Sequence, residues 1–205
     1  MSVKRVARIR RARHVIRFYS AKNASAMVLE SFLELWMACK LESDPSVKTF
    51  ASQPESMNKV LEGKNVRYTP DFLVIHHDGS AKYIEIHHEQ FTSDEYRQKI
   101  ATFDQYTRQS TGTPIELLVK DCLNEIELVN FQLLARHRTL EISVCESEVA
   151  FPEDTSVGQL IAFLTPLSNN PIGDAYHLMA SGFYQFDYNT IITTATRLSR
   201  GAELC

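Results

Sequence analysis

Glycine and proline are scarce, seven of each in 205 residues, which excludes a collagen-like or low-complexity chain. No apolar run reaches about eighteen residues, so the sequence predicts no membrane span. The opening stretch MSVKRVARIRRARHVIRF lacks the compact apolar segment of a secretory signal. Four cysteines (Cys39, Cys122, Cys145, Cys205) are scattered with no CxxC pair, which argues against a zinc knuckle and for a reduced, cytoplasmic setting. What is present is an ordinary globular composition, 44% hydrophobic and 23% charged, of a length suited to one domain and a small appendage.

The net charge of −3 is unevenly placed. Residues 1–22 hold eight of the 22 basic residues and no acid, leaving 14 basic against 25 acidic residues, −11, for the rest. A basic arm on an acidic body suits a polyanion, with DNA the expected partner and Arg8, Arg10, Arg11, Arg13, Arg17 and Lys22 its candidate contacts. A solvated tail is the plain alternative.

Periodicity predicts a helix over residues 24–42, capped by Asn23 or Ser25 and ended by Asp44-Pro45, with Phe32, Leu35 and Trp36 on its core stripe. Strands are expected at Val47–Ala51, Met57–Leu61, Val66–Ile75 and Lys82–His88, with turns at 62–65 and Asp78-Gly79. A helix over about 93–109 follows, with Tyr96, Ile100, Phe103 and Tyr106 on one face. Next come a buried parallel strand over Pro114–Lys120 and a helix from Asn124 to about His137. The order predicts an α/β fold with a mixed sheet, flanking helices and one parallel crossover. Residues 138–154 read as a linker into a second unit with helices over 156–165 and 172–180, a strand over 183–187 and a helix from Asn189. The expected division is a basic arm (1–22), a core domain (23–140) and a winged-helix-like C-terminal domain (141–205) that serves protein contact better than DNA reading.

Chemistry concentrates around the Asp78-Gly79 turn. Paired positions summing to about 157 set Asp71 opposite Ile86, flanked by Glu85 and His87, which share a strand face. Acids placed mid-strand among apolar residues are expensive unless paired or holding a metal. Asp71 and Glu85, with the Ile86 carbonyl, suit Mg²⁺ or Mn²⁺; an ordinary hairpin with two edge acids is the alternative. His76, His77 and His88 read as surface or packing residues.

Pro70-Asp71…Glu85-Ile86-His87 resembles the PD-(D/E)xK nuclease core. With Phe18-x-Ser20-x-Lys22, Ser31-x-x-Glu34, Leu41–Val47, Phe50…Gln53-Pro54 and Tyr68-Thr69-Pro70-Asp71-Phe72, the ordered set resembles the TnsA family of transposon endonuclease subunits. That resemblance implies a restriction-endonuclease-like fold and hydrolysis of the non-transferred strand at transposon 5′ ends, in a bacterial, nucleoid-associated setting. It implies a TnsB-like DDE transposase and a TnsC-like AAA+ ATPase as partners. It also implies a catalytic set of Glu34, Asp71, Glu85 and His87, with Glu30 competing for the place of Glu34. The family's motif ends in lysine where this sequence has His87. An architectural subunit without cleavage therefore stands beside the nuclease. Lys82 is on the wrong strand face to substitute, while Lys99 and Lys120 stay open.

Overall fold

The computed structural model describes residues 15–61, 63–144 and 149–201. An antiparallel hairpin of β1 (Ile16–Ser20) and β2 (Ser25–Leu29) comes first, where a helix over 24–42 was expected. Ala24 closes its turn at φ 47, and Leu29 is buried against the core. Helix α1 (Phe32–Ser43) starts later because its cap is Ser31, whose Oγ accepts the Glu34 N–H. Ser31-x-x-Glu34 is thus a capping signature, and Asn23 and Ser25 are not caps. Phe32, expected in the core stripe, is 56% exposed, whereas Leu35 and Trp36 are buried.

The central mixed sheet has the order β3-β6-β7-β8. Strand β3 (Val47–Ser52) runs antiparallel to β6 (Phe72–His76), and β6 antiparallel to β7 (Ala81–His88). Strand β8 (Ile115–Lys120) lies parallel to β7 after a crossover through α2 (Asp94–Ser110). The expected single strand over Val66–Ile75 is two. Pro70 has no N–H for a ladder, so the chain leaves the hairpin of β4 (Met57–Leu61) and β5 (Lys64–Tyr68) and re-enters the sheet as β6. Asp71 stands at that threshold.

Alternation along β7 sorts its side chains. Ile84 and Ile86 enter the core with α1 and Phe131 of α3 (Glu125–Ala135). Tyr83 packs on the opposite side with Tyr68, Ile100 and Phe103. Tyr106, expected on the buried face of α2, is 38% exposed, and Thr107 takes the buried position.

The C-terminal unit is β9 (Asp154–Ser156), α4 (Val157–Leu164), α5 (Pro171–Ala180), β10 (Tyr184–Gln185) and β11 (Arg197–Arg200). Its sheet order is β10-β11-β9, antiparallel throughout. The helix expected from Asn189 is absent. The Asn189 N–H donates to the Asp187 carboxylate, and the hydroxyls of Thr190, Thr193 and Thr196 bond nearby backbone, which competes with a helical ladder. This unit has its own core around Leu160, Leu164, Leu178, Tyr184 and Leu198. Helix α3 joins the two cores, giving Phe131 to the first and Leu134 to the second. Among the described residues no helix is long and apolar enough to cross a membrane.

Candidate active site

The β6–β7 register sums to 156, from Phe72↔Ile84 to Ile75↔Ala81, one less than expected. Continued by one residue, it brings Asp71 level with Glu85 instead of Ile86. Asp71 still reaches Ile86, whose N–H donates to Asp71 Oδ2 at 2.8 Å. Glu85 is 7% exposed. Its Oε2 accepts the Tyr68 hydroxyl at 2.9 Å, and its Oε1 accepts the Tyr96 hydroxyl. Both tyrosine hydroxyls are pushed well above the usual phenol range, by burial first and then by the Glu85 carboxylate.

Burial raises the Asp71 carboxyl to about 8; the Glu85 charge adds to this, the Ile86 N–H opposes it, and Glu34 and Glu30 add smaller repulsions. Glu85 is raised too, by burial, against the pull of Tyr96, Tyr68 and Lys99. Four carboxylates from three segments therefore act on one place. Glu34 is held there as part of the α1 cap. Its Oε2 accepts the Glu30 N–H at 2.8 Å and its Oε1 the Ser31 hydroxyl at 3.0 Å. Glu30 precedes the helix, so the two acids do not lie one turn apart on a common helix.

Among the described residues, no three His, Cys, Asp or Glu side chains form a cluster arranged to hold a metal. Glu34 and Glu85 commit their oxygens to hydrogen bonds, and one Asp71 oxygen takes Ile86. The donor set still fits an ion of the Mg²⁺ type. Such ions are bound through one or two carboxylates, with waters and substrate phosphates completing the shell. Burial raises Asp71 first and repulsion from Glu85 second, and a cation would relieve that repulsion.

His87 stacks on Tyr96 with ring centroids 4.0 Å apart at 15°. Its Nδ1 is 2.9 Å from Thr92 Oγ1. Burial first, then His88 and Lys99, lower its pKa, which favours the neutral imidazole. Lys82 is paired with Glu116 at 2.8 Å, and Lys120 lies 4.3 Å above the Trp36 ring. Lys99 sits over both Glu85-bound tyrosines, 5.5 Å from the Tyr68 ring and 5.8 Å from the Tyr96 ring. Of the lysines left open by the sequence, Lys99 is the one whose charge acts on Glu85 and His87.

Arg8, Arg10, Arg11 and Arg13 lie outside the described residues. Arg17 is exposed on β1, opposite Val28. Lys22 is spent internally, its ammonium donating to the carbonyls of Asp44 and Val47. With Ser20, whose hydroxyl donates to Glu42 at 2.6 Å, it braces the hairpin to α1. His76 meets Ser46, His77 is exposed, and His88 packs on Phe91 and accepts the Gln90 N–H. A cavity of about 660 Å³ between Trp36, Phe131 and Tyr188 does not include Glu30, Glu34, Asp71 or Glu85. Sequence reasoning did not find Tyr68 or Tyr96 as site residues, nor Thr92. Aromatics at helical or strand spacing read as core, and only the tertiary meeting of β5, β7 and α2 turns their hydroxyls onto Glu85.

Residues 44–112 match the family model described as TnsA-like endonuclease, N terminal. Over that segment the chain is similar to the TnsA-like endonucleases. The matched segment holds Asp71, Glu85, His87 and Lys99, and Glu34 precedes it. No curated protein matches the chain.

Proposed function

We propose that this chain is the DNA endonuclease subunit of a heteromeric transposase, hydrolysing the non-transferred strand at the 5′ ends of a transposon. The observation that carries this reading is the Asp71 carboxyl driven up beside Glu85, with Glu34 and Glu30 adding repulsion, inside a TnsA-like fold. Asp71 and Glu85 would hold Mg²⁺ or Mn²⁺, with the Ile86 carbonyl as a further ligand, and Glu34 completing the acidic surround. A divalent ion there supplies Lewis-acid stabilisation of charge on the phosphate oxygens. Neutral His87 accepts a proton from water, and Lys99 contributes the positive charge that position 87 lacks. The basic arm binds end DNA, a TnsB-like transposase cuts the 3′ ends, and residues 141–205, winged-helix-like, contact a TnsC-like AAA+ ATPase.

A second reading is an architectural subunit that binds the same partners without cutting. It is favoured by Glu85, both of whose oxygens accept tyrosine hydroxyls. An excision assay with a TnsB-like partner separates the two. Breaks at the 5′ ends with wild type, absent with Asp71→Ala, support the nuclease; no 5′ breaks with wild type in Mg²⁺ or Mn²⁺ favour the architectural role.

A further inference from the structure

Thr92 ends the short 3-10 turn Glu89–Phe91, and its backbone N–H donates to the Glu89 carbonyl. Its hydroxyl proton is committed as well, donated to the His88 carbonyl at 2.8 Å. A carbonyl only accepts, and a hydroxyl has one proton to give. Toward His87 Nδ1, 2.9 Å away, Thr92 Oγ1 can therefore only accept. Nδ1 must carry the N–H, and in a neutral imidazole the lone pair then falls on Nε2. The Tyr96 ring, stacked at 4.0 Å, holds the plane of the same imidazole, while its hydroxyl holds Glu85. His87 and Glu85 are two residues apart on β7 and project to the same face.

We propose that Thr92 is a positioning residue that locks His87 in the Nδ1–H tautomer, making Nε2 the proton acceptor of the site. This rests on the nuclease reading for its chemistry and on the hydrogen-bond network alone for the tautomer. As a water oxygen bonds to phosphorus, its proton passes to Nε2, giving an imidazolium with N–H on both nitrogens. The P–O bond to the departing sugar oxygen breaks, and that oxygen leaves with the electron pair and takes a proton from solvent. Thr92 then receives the Nδ1–H of a charged ring, a stronger hydrogen bond than that of the neutral one.

The test is a long-range ¹H–¹⁵N correlation spectrum of the full chain without metal, with His87 assigned through His87→Asn. Wild type is expected to show a protonated Nδ1 and a bare Nε2. Thr92→Ser keeps that pattern, and Thr92→Val, which removes the acceptor, moves protonation toward Nε2. A protonated Nε2 in wild type, or an unchanged pattern in Thr92→Val, overturns the lock. If Thr92→Val does not fold by circular dichroism, the wild-type and Thr92→Ser spectra decide. In single-turnover cleavage Thr92→Val should slow the step about tenfold with unchanged DNA Kd, below the 10²–10⁴ that a whole general base supplies. An altered tautomer with an unchanged rate overturns the acceptor role. Wild type with the expected tautomer and no cleavage overturns the nuclease reading and leaves the lock standing.

Discussion

Asp71 accepts the backbone N–H of Ile86 at 2.8 Å, which ties the acid at the start of β6 to the strand that carries Glu85. That bond favours the carboxylate, yet burial and the Glu85 charge outweigh it and leave Asp71 raised to about 8. An acid with a raised folded pKa contributes stability below its unfolded value, about 4, and loses that contribution as pH climbs through the folded one. Without divalent cation, the Tm should fall between about pH 4 and about pH 8. Asp71→Asn, which keeps an acceptor for Ile86, should flatten the fall. Equal slopes for the two proteins in a thermal-unfolding series would remove Asp71 as the cause.

A cation bound at Asp71 and Glu85 must displace the proton that burial keeps on Asp71. Mg²⁺ should therefore raise the Tm more at pH 6.5 than does an equal concentration of Na⁺, and proton release should accompany binding. Calorimetric titrations in two buffers of different ionisation enthalpy measure that release directly. Identical apparent heats in both buffers would count against it, as would binding undiminished in Asp71→Asn.

Glu85 is buried with a tyrosine hydroxyl on each oxygen. Tyr68→Phe removes one donor and should cost about 1–3 kcal/mol, the penalty for an acceptor left short of a partner. Mg²⁺ should reduce that cost, because the freed oxygen becomes available to the ion. Chemical denaturation with and without Mg²⁺ reads both values, and a cost indifferent to the ion would mean the oxygen is not a ligand.

Lys99 is placed over the rings of Tyr68 and Tyr96, and its charge favours the Glu85 carboxylate. Lys99→Ala should lower cleavage about 10²-fold, the scale of losing one well-placed electrostatic donor. His87→Lys, which puts a fixed positive charge at position 87, should recover part of the activity lost in Lys99→Ala. A Lys99→Ala protein as fast as wild type would leave the site's positive charge unassigned.

Glu34 serves both as an α1 cap and as a charge near Asp71. Glu34→Gln keeps an acceptor and should lose little stability while lowering the Asp71 pKa. Ser31→Ala should cost about 1 kcal/mol of stability, the usual value of a cap, and leave that pKa in place. Carboxylate ¹³C titrations together with unfolding curves distinguish charge from cap; equal effects on both measurements would erase the distinction.

Sequence by itself determined the alternating core of β7, the capped crossover helix α2, the parallel β8 and the pair Asp71 and Glu85 near the Asp78-Gly79 turn. These follow from periodicity and turn chemistry, which act over a few residues. It misjudged 24–31 because SAMVL is apolar enough for either element, and only pairing with β1 makes it a strand. The helix from Asn189 failed for a related reason, since the hydroxyls of Thr190 and Thr196 bond the backbone of Asp187 and Thr193. What tertiary structure alone decided is the surround of Glu85. Tyr68, Tyr96 and Lys99 come from separate elements, and no local pattern distinguishes a tyrosine that packs from one whose hydroxyl also holds a buried carboxylate. The pKa of Asp71 belongs to the same class, because burial and repulsion are properties of the assembled fold and not of any segment.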